Sequence, residues 1–288
     1  MLDFANKHPE TLVLSADLGT SCEVKKFRAE KPDQYLTMGI AEQNMCSWAA
    51  GLAREGYRPF LHTFSVFLSR RILDQVEMSV AYPNLPVTFV GFVPGITTPG
   101  GVTHQSINDV GIMRTVPNMA IFDVGDATDI EGVLDLVYEW NGPAYIRMLR
   151  KEVPRLFPAN EPMVFNRART ITEGDDVLIL SSSICTEEAM RATAALEDKG
   201  VSVQHMHVST LKPFTDPTIV EALKKCKYGV VTMENHYNIG GLGSAVADLM
   251  AENGIGKKLI KIGLNGYAHG ASKMYLMTKY GIDAMNLV

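Results

Sequence analysis

The feature that most constrains this chain is an alternation that runs its whole length. Short aliphatic or β-branched runs recur, and helical-looking stretches lie between most of them. In the first half the runs are TLVLS at 11–15, QYLTM at 34–38, RPFLHTF at 58–64, LPVTFVGFV at 85–93, NMAIFDVG at 118–125 and PAYIRML at 143–149. Between them, 39–56 places Met45, Trp48, Ala49 and Leu52 at helical spacing and stops at Gly56. The stretches SRRILDQVEMSVAY at 69–82 and DATDIEGVLDLVYEW at 126–140 also read as helices. Runs too short to span a helix, alternating with amphipathic stretches, predict parallel strands covered by helices on both faces. The pattern breaks at 151–172, a stretch with three prolines and little periodicity. It then resumes with strands near 175–183, 201–209, 228–235 and 258–264 and helices near 185–200, 216–227 and 243–254. The expected fold is therefore α/β in two domains, each a mainly parallel sheet sandwiched by helices. The expected boundaries are 1–155, a linker at 156–167, and 168–288.

Length supports this division, because 288 residues suit two domains of ordinary size. The net charge of -5 and the lack of a basic run argue against a nucleic-acid partner. The four cysteines, Cys22, Cys46, Cys185 and Cys226, have neither CxxC nor zinc-finger spacing, so reduced and mostly buried thiols are expected. The first residues carry no charged-then-apolar leader pattern, and no run of roughly 18 apolar residues occurs. A soluble, cytoplasmic protein without a membrane partner is the expectation.

Four places could carry chemistry. Glu42 in GIAEQN sits at a strand-to-helix junction, where the helix dipole and free N–H groups favour a carboxylate. It reads either as a plain N-terminal helix acid or as a buried acid with a role in proton transfer. Phe64 and Phe67 in TFSVF follow a strand and read as core or as the wall for a flat ring. His104, in THQ after the loop GITTPGGV, is a structural hydrogen-bonder or a catalytic imidazole. Asp17 in SADLGTS stands at the carboxyl end of a strand, where open α/β sheets gather ligands. A further stretch, Gly240-Gly241-Leu242-Gly243-Ser244, opens a helix. It lacks both the Lys-Ser/Thr of a P-loop and a full dinucleotide fingerprint, so close strand-to-helix packing explains it better than phosphate binding.

No one of these features decides a function, but their order does. SADLGTS, GIAEQN, PFLHTFSVF, RRILDQVEMSVAYPNLPVTFVG, GITTPGGVTHQSINDVGIMRTVPNM and GPAYIRMLR together resemble the pyrimidine-binding domain of transketolases. STLKPFTDP and MENHYNIGGLGSAVADLM resemble the transketolase C-terminal domain. The resemblance covers nearly the whole chain and omits the family's diphosphate-binding domain with its magnesium motif. It therefore implies the C-terminal subunit of a split transketolase. The implied cofactors are thiamin diphosphate and Mg2+, with metal ligands from an N-terminal diphosphate-binding partner subunit in a two-plus-two heterotetramer. The implied reaction moves a two-carbon ketol unit from a ketose phosphate to an aldose.

The family's site residues carry over to matching positions. Glu42 matches the glutamate that touches the aminopyrimidine ring, and Phe64 and Phe67 match the residues that wall and stack on it. His104 matches the substrate-facing histidine. Asp17 and Ser21 match positions near the thiazolium and the substrate entrance, and Arg150 matches the arginine that pairs with the substrate phosphate. Arg70 stands where the family often has a small or aromatic residue. It reads either as a solvated helix arginine or as an extra anion contact for an unusual substrate, and it is counted among the expected cofactor-binding residues.

The chain also departs from the pattern. Its FVPGITTPGGV loop is one residue shorter than usual and lacks the His-Asp and Glu-Asp pairs that read sugar hydroxyls. The family also has a further helix before the first strand whose arginine faces the substrate phosphate, and no counterpart of that arginine is expected here. Three alternatives remain: the beta subunit of a pyruvate dehydrogenase-type 2-oxoacid decarboxylase, a 1-deoxyxylulose-phosphate synthase fragment, and a non-catalytic scaffold of the same fold. The first lacks its usual aromatic-rich and Arg-Ser-Gly-Gly segments after DQV, and the last sits poorly with the retained Glu42, Phe67 and His104.

Overall fold

A computed structural model describes residues 1–288. The chain runs through α1 (Leu2–Lys7), β1 (Thr11–Ser15), α2 (Lys25–Glu30), β2 (Tyr35–Thr37), α3 (Glu42–Arg54), β3 (Arg58–Phe64), α4 (Ser65–Ser69) and α5 (Leu73–Gln75). A π-helical stretch, Val76–Ala81, continues from α5. Then come β4 (Thr88–Phe92), α6 (Asp109–Thr115), β5 (Ala120–Asp123), α7 (Ala127–Trp140) and β6 (Ala144–Met148). The second half holds β7 (Arg169–Thr172), β8 (Val177–Ser181), α8 (Cys185–Glu197), β9 (Val203–His207), β10 (Thr210–Lys212), α9 (Pro217–Lys225), β11 (Gly229–Tyr237), α10 (Leu242–Glu252), β12 (Leu259–Leu264), α11 (Lys273–Lys279) and α12 (Ala284–Leu287).

Two sheets form, as the alternation predicts. The first has the order β10-β5-β6-β4-β3-β1-β2 and the second β12-β11-β8-β9-β7. Every pairing is parallel except those of β10 and β7, which run antiparallel at the sheet edges. The inner strands β1, β4, β5 and β6 are buried along their whole length, as strands covered on both faces must be.

The structure adds the short helices α1, α2, α6, α11 and α12, which the sequence reading does not contain, and it departs from that reading at β10 and at 69–82. β10 lies in the second half of the chain, yet it extends the first sheet by pairing with β5. The stretch 69–82, read as one helix, is instead broken between α4 and α5. Ile72 leaves helical geometry at φ -122° and ψ 14°. Two side-chain bonds account for the break. Ser69 bonds back to the Ser65 carbonyl at 2.8 Å, which competes with the helical ladder. The Arg71 carbonyl turns out to accept from the Gln43 amide at 3.0 Å. The break buries Ile72 completely and sets Arg71 above Phe67.

All four cysteines are free and buried. Burial pushes the thiols of Cys22 and Cys46 up to about 12, so they stay protonated and inert near neutrality. No helix is long and apolar enough to cross a membrane.

Candidate active site

The parallel sheet gathers the candidate residues. Asp17 and Ser21 follow β1, Glu42 follows β2, and Phe64, Phe67 and Arg70 end or follow β3. His104 follows β4 and Arg150 follows β6. All eight therefore leave the carboxyl edge of the first sheet, the edge at which open α/β sheets bind ligands.

Glu42 is the first residue of α3 and is 3% exposed. Gly39 before it takes φ +71°, a left-handed turn that a β-carbon would strain, and this swings the chain from β2 into the helix. Ala41 at the N-cap offers no side-chain bond, so the first helical N–H groups have no capping oxygen from that residue. The Glu42 carboxylate has one side-chain partner, Nη1 of Arg71 at 3.1 Å. Arg71 is itself 47% exposed, and its guanidinium lies 4.1 Å over the Phe67 ring. Cation–π contact over an aromatic face suits the planar arginine fork.

Phe64 and Phe67 stack at 5.8 Å with an interplanar angle of 25°. His104 stands edge-on to both rings, 6.1 Å from Phe64 and 5.8 Å from Phe67. Its Nδ1 shares a 2.8 Å hydrogen bond with the Thr103 hydroxyl, which leaves Nε2 available. Glu42, Phe64, Phe67 and His104 thus form one continuous cluster, closed by Arg71. The sequence reading singled out Arg70 of the Arg70-Arg71 pair and passed over its neighbour. Helical spacing gives no signal for it, because α4 ends at Ser69 and Arg71 lies in the break before α5.

The remaining candidates lie on the same edge in other recesses. Asp17 (φ 58°) and Ser21 line a recess of about 140 Å³ with Lys25, Arg28 and Tyr35. Arg150 lines a cavity of about 390 Å³ between the two halves of the chain, with Thr98, Lys151, Glu187 and Lys273. The Lys151 N–H donates to the Glu23 carboxylate at 2.6 Å, which ties the segment after β6 to the segment between Ser21 and α2. Arg70 is exposed and reaches neither recess. Its Nη2 lies 3.4 Å from the carbonyls of Val102 and Gln105, on the loop that carries His104. No three His, Cys, Asp or Glu side chains converge closely enough to hold a metal ion.

The Gly240–Ser244 stretch is closed from within. The Glu234 carboxylate accepts from Leu242 N–H at 2.7 Å and Gly243 N–H at 2.8 Å, and Ser244 Oγ accepts from Gly240 N–H at 2.8 Å. A β-carbon on Gly241 would collide with that carboxylate. These glycines serve close packing over a capping acid, as the sequence reading favoured.

Residues 1–155 match the family model described as "Transketolase, pyrimidine binding domain", and residues 166–286 match "Transketolase, C-terminal domain". The chain belongs to the transketolase family. It is 37% identical over 290 residues to the "6-deoxy-6-sulfo-D-fructose transketolase subunit SqwH" of Clostridium sp. (strain MSTE9), covering 100% of this chain and 89% of the relative. It is 35% identical over 291 residues to the "Putative transketolase C-terminal section" of Methanocaldococcus jannaschii, covering 100% and 91%. Among solved structures, it superposes with a TM-score of 0.92 at 34% identity on a chain described as "Split gene transketolase, inactive beta4 tetramer", covering 100% of this chain and 92% of that one.

Proposed function

We propose that this chain is the pyrimidine-binding subunit of a two-chain transketolase, active only with a diphosphate-binding partner. The reaction is transfer of a two-carbon ketol unit from an anionic ketose to an aldose. The observation that carries this reading is the cluster at the sheet edge. A carboxylate that is 3% exposed, two stacked phenylalanines and a histidine edge-on to both make one surface. That surface fits the pyrimidine end of thiamin diphosphate, because stacked rings suit a flat heterocycle and a shielded carboxylate suits a ring nitrogen that shares a proton.

Bound thiamin diphosphate supplies a carbon nucleophile and an electron sink. Glu42 holds the proton at the pyrimidine nitrogen, in a place that water barely reaches. Arg71 fixes the carboxylate's orientation from the half-exposed side. Phe64 and Phe67 exclude water and set the ring plane. His104 presents Nε2 to the substrate oxygen and steadies charge that develops there. Arg150, with Lys151 and Lys273 on the same cavity, holds the anionic tail of the sugar. The sulfonated ketose in the name of the Clostridium relative carries such a tail.

The partner subunit brings the diphosphate cradle and the Mg2+ ligands, and two copies of each chain make the assembly. Two features support this. The relatives carry subunit or section names and are matched over about nine-tenths of their length. Large apolar side chains also stand bare on or next to α3 and the π-helical stretch packed on it: Ile40 before α3 is 78% exposed, Trp48 55%, Met78 56% and Tyr82 after the π-helical stretch 81%. Exposed apolar surface around a site marks an interface.

The test is a donor and acceptor screen on the complex co-expressed with the diphosphate-binding chain. Transfer of two carbons from a phosphorylated or sulfonated ketose to an aldose is the expected result. Turnover of pyruvate alone would move the chain to the decarboxylase class.

A further inference from the structure

His104 sits on the long loop between β4 and α6, and loops of this length are mobile unless something holds them. Here one short stretch of β11, in the second half of the chain, grips the loop at both ends. At its start, Asn235 Oδ1 accepts from Ile96 N–H at 3.1 Å, and Asn235 Nδ2 donates to the Pro94 carbonyl at 3.1 Å. These two partners also fix which way the amide points. At the loop's end, the Tyr237 N–H donates to the Ile107 carbonyl at 2.6 Å. The two ends meet as well, since Gly95 N–H donates to the Ser106 carbonyl at 2.7 Å.

Asn235 is fully buried and its fit is close. Gly95 takes φ +60° directly against the amide, and a β-carbon there would overlap it. The Asn235 carbonyl in turn accepts from Arg147 Nη2 at 3.0 Å. The same guanidinium donates to Asp109, the first residue of α6, at 2.8 Å through Nε. One buried arginine therefore ties together the strand that holds the loop and the helix into which the loop runs. At the tip, Gln105 donates to the Thr98 carbonyl at 3.2 Å and the His269 carbonyl at 3.3 Å.

We propose that Asn235 is a positioning residue for His104. By pairing the backbone of Pro94 and Ile96 it selects the one loop conformation that presents His104 beside Phe64 and Phe67. The second half of the chain would then act in the reaction while contributing no group to the reacting atoms. The role of His104 rests on the ketol-transfer reading, whereas the grip on the loop does not.

The test uses the complex with its partner chain. Asn235→Ala leaves the Ile96 N–H unpaired and removes one donor from the Pro94 carbonyl, which keeps the Thr97 hydroxyl at 2.7 Å, so the loop gains alternative conformations. Hydrogen–deuterium exchange of amides 95–107 is expected to speed up about tenfold or more, with the sheet amides unchanged. Turnover is expected to fall about tenfold or more at unchanged KM, because an ångström of misplacement carries such a cost. Thiamin diphosphate affinity should stay within about twofold, because none of the residues at the ring touches Asn235. Combining Asn235→Ala with His104→Ala should give no further loss beyond His104→Ala alone. Gly95→Ala disturbs the same contact from the loop side and supplies the readout if Asn235→Ala does not assemble.

Unchanged loop exchange would overturn the proposal, as would losses that multiply in the double variant or follow a fall in cofactor affinity. If the wild-type complex transfers no ketol unit, the functional reading fails, and loop exchange alone then decides whether Asn235 holds the loop.

Discussion

Glu234 and Glu42 are buried glutamates at helix N-termini, and their surroundings differ. Glu234, 1% exposed, stands before α10 and accepts from two backbone N–H groups, with His236 Nδ1 3.9 Å away. Glu42, 3% exposed, opens α3 and has one partner, the half-exposed Arg71, beside a stacked aromatic pair. Both carboxylates gain from the helix dipole. One has its hydrogen bonds closed by its own chain, so its role is structural. The other keeps acceptor capacity unused and faces the sheet edge where five other elements converge. An acid at a helix start therefore says little by itself, and the state of its remaining lone pairs separates the two cases.

The same contrast extends to the arginines. Arg147 is completely buried between Asp109 at 2.8 Å and Asp123 at 3.0 Å, and Tyr145 and Ser182 donate to the same two carboxylates at 2.7 and 2.8 Å. Burial lowers its affinity for a proton, but the two flanking carboxylates outweigh that and hold it charged. Arg71 lies half in water and gives Glu42 its one side-chain hydrogen bond, at 3.1 Å.

Breaking the closed region should cost stability, and breaking the open one should cost rate. The largest effect is expected for Arg147→Met, which strands two buried carboxylates. Chemical denaturation should show a loss of about 3–5 kcal/mol. Glu42→Gln comes next, with a fall in ketol transfer of about a hundredfold or more. Its unfolding free energy should stay within about 1 kcal/mol of wild type, because glutamine keeps the shape of the side chain and the arginine it loses is half in water.

Glu234→Gln replaces one acceptor oxygen with a donor facing an N–H group and should cost about 1–3 kcal/mol. It should also change the pH profile. Burial pushes the Glu234 carboxyl up to about 7, against the opposing pull of its two N–H bonds, from an ordinary value of 4.5. The folded protein therefore keeps a proton that the unfolded chain has already released. This contribution to stability is complete below about 4.5 and is lost as the pH rises through about 7. His62, His205 and His236, which burial pushes down to about 3, 3 and 4 from 6.5, work in the opposite direction. Their contribution is present above about 6.5 and lost on acidification. The difference between wild type and Glu234→Gln, measured from pH 4.5 to 7, isolates the glutamate.

The smallest effect is expected for Arg70→Ala. Its two 3.4 Å contacts to loop carbonyls should be worth under about 1 kcal/mol. A drop of more than tenfold in thiamin diphosphate affinity would instead make Arg70 a cofactor contact.

The sheet edge was legible in the sequence because strand runs are short, aliphatic and flanked by helical periodicity. Once β1, β2, β3, β4 and β6 are placed, their carboxyl ends bring Asp17, Ser21, Glu42, Phe64, Phe67, His104 and Arg150 to one side. β10 was not legible, since three residues carry no burial pattern and only the tertiary fold supplies β5 as a partner. The break at Ile72 escaped for a similar reason. The residues from Ser69 to Tyr82 favour a helix locally, and the contact that stops it comes from Gln43 on another element. Arg71 gained its place only through that break. Asn235 was hidden because an asparagine at the end of a strand run reads as a turn residue until the loop it grips is seen.

The central claim is that Glu42 and its aromatic wall make half of a thiamin diphosphate site. It is tested most directly by calorimetric titration of thiamin diphosphate with Mg2+ into this chain alone, into the complex with the diphosphate-binding chain, and into the Glu42→Gln complex. The account predicts tight binding in the wild-type complex, clearly weaker binding in the variant, and none to the chain alone. Equal binding to the wild-type and Glu42→Gln complexes, or no binding to an assembled complex, would contradict it.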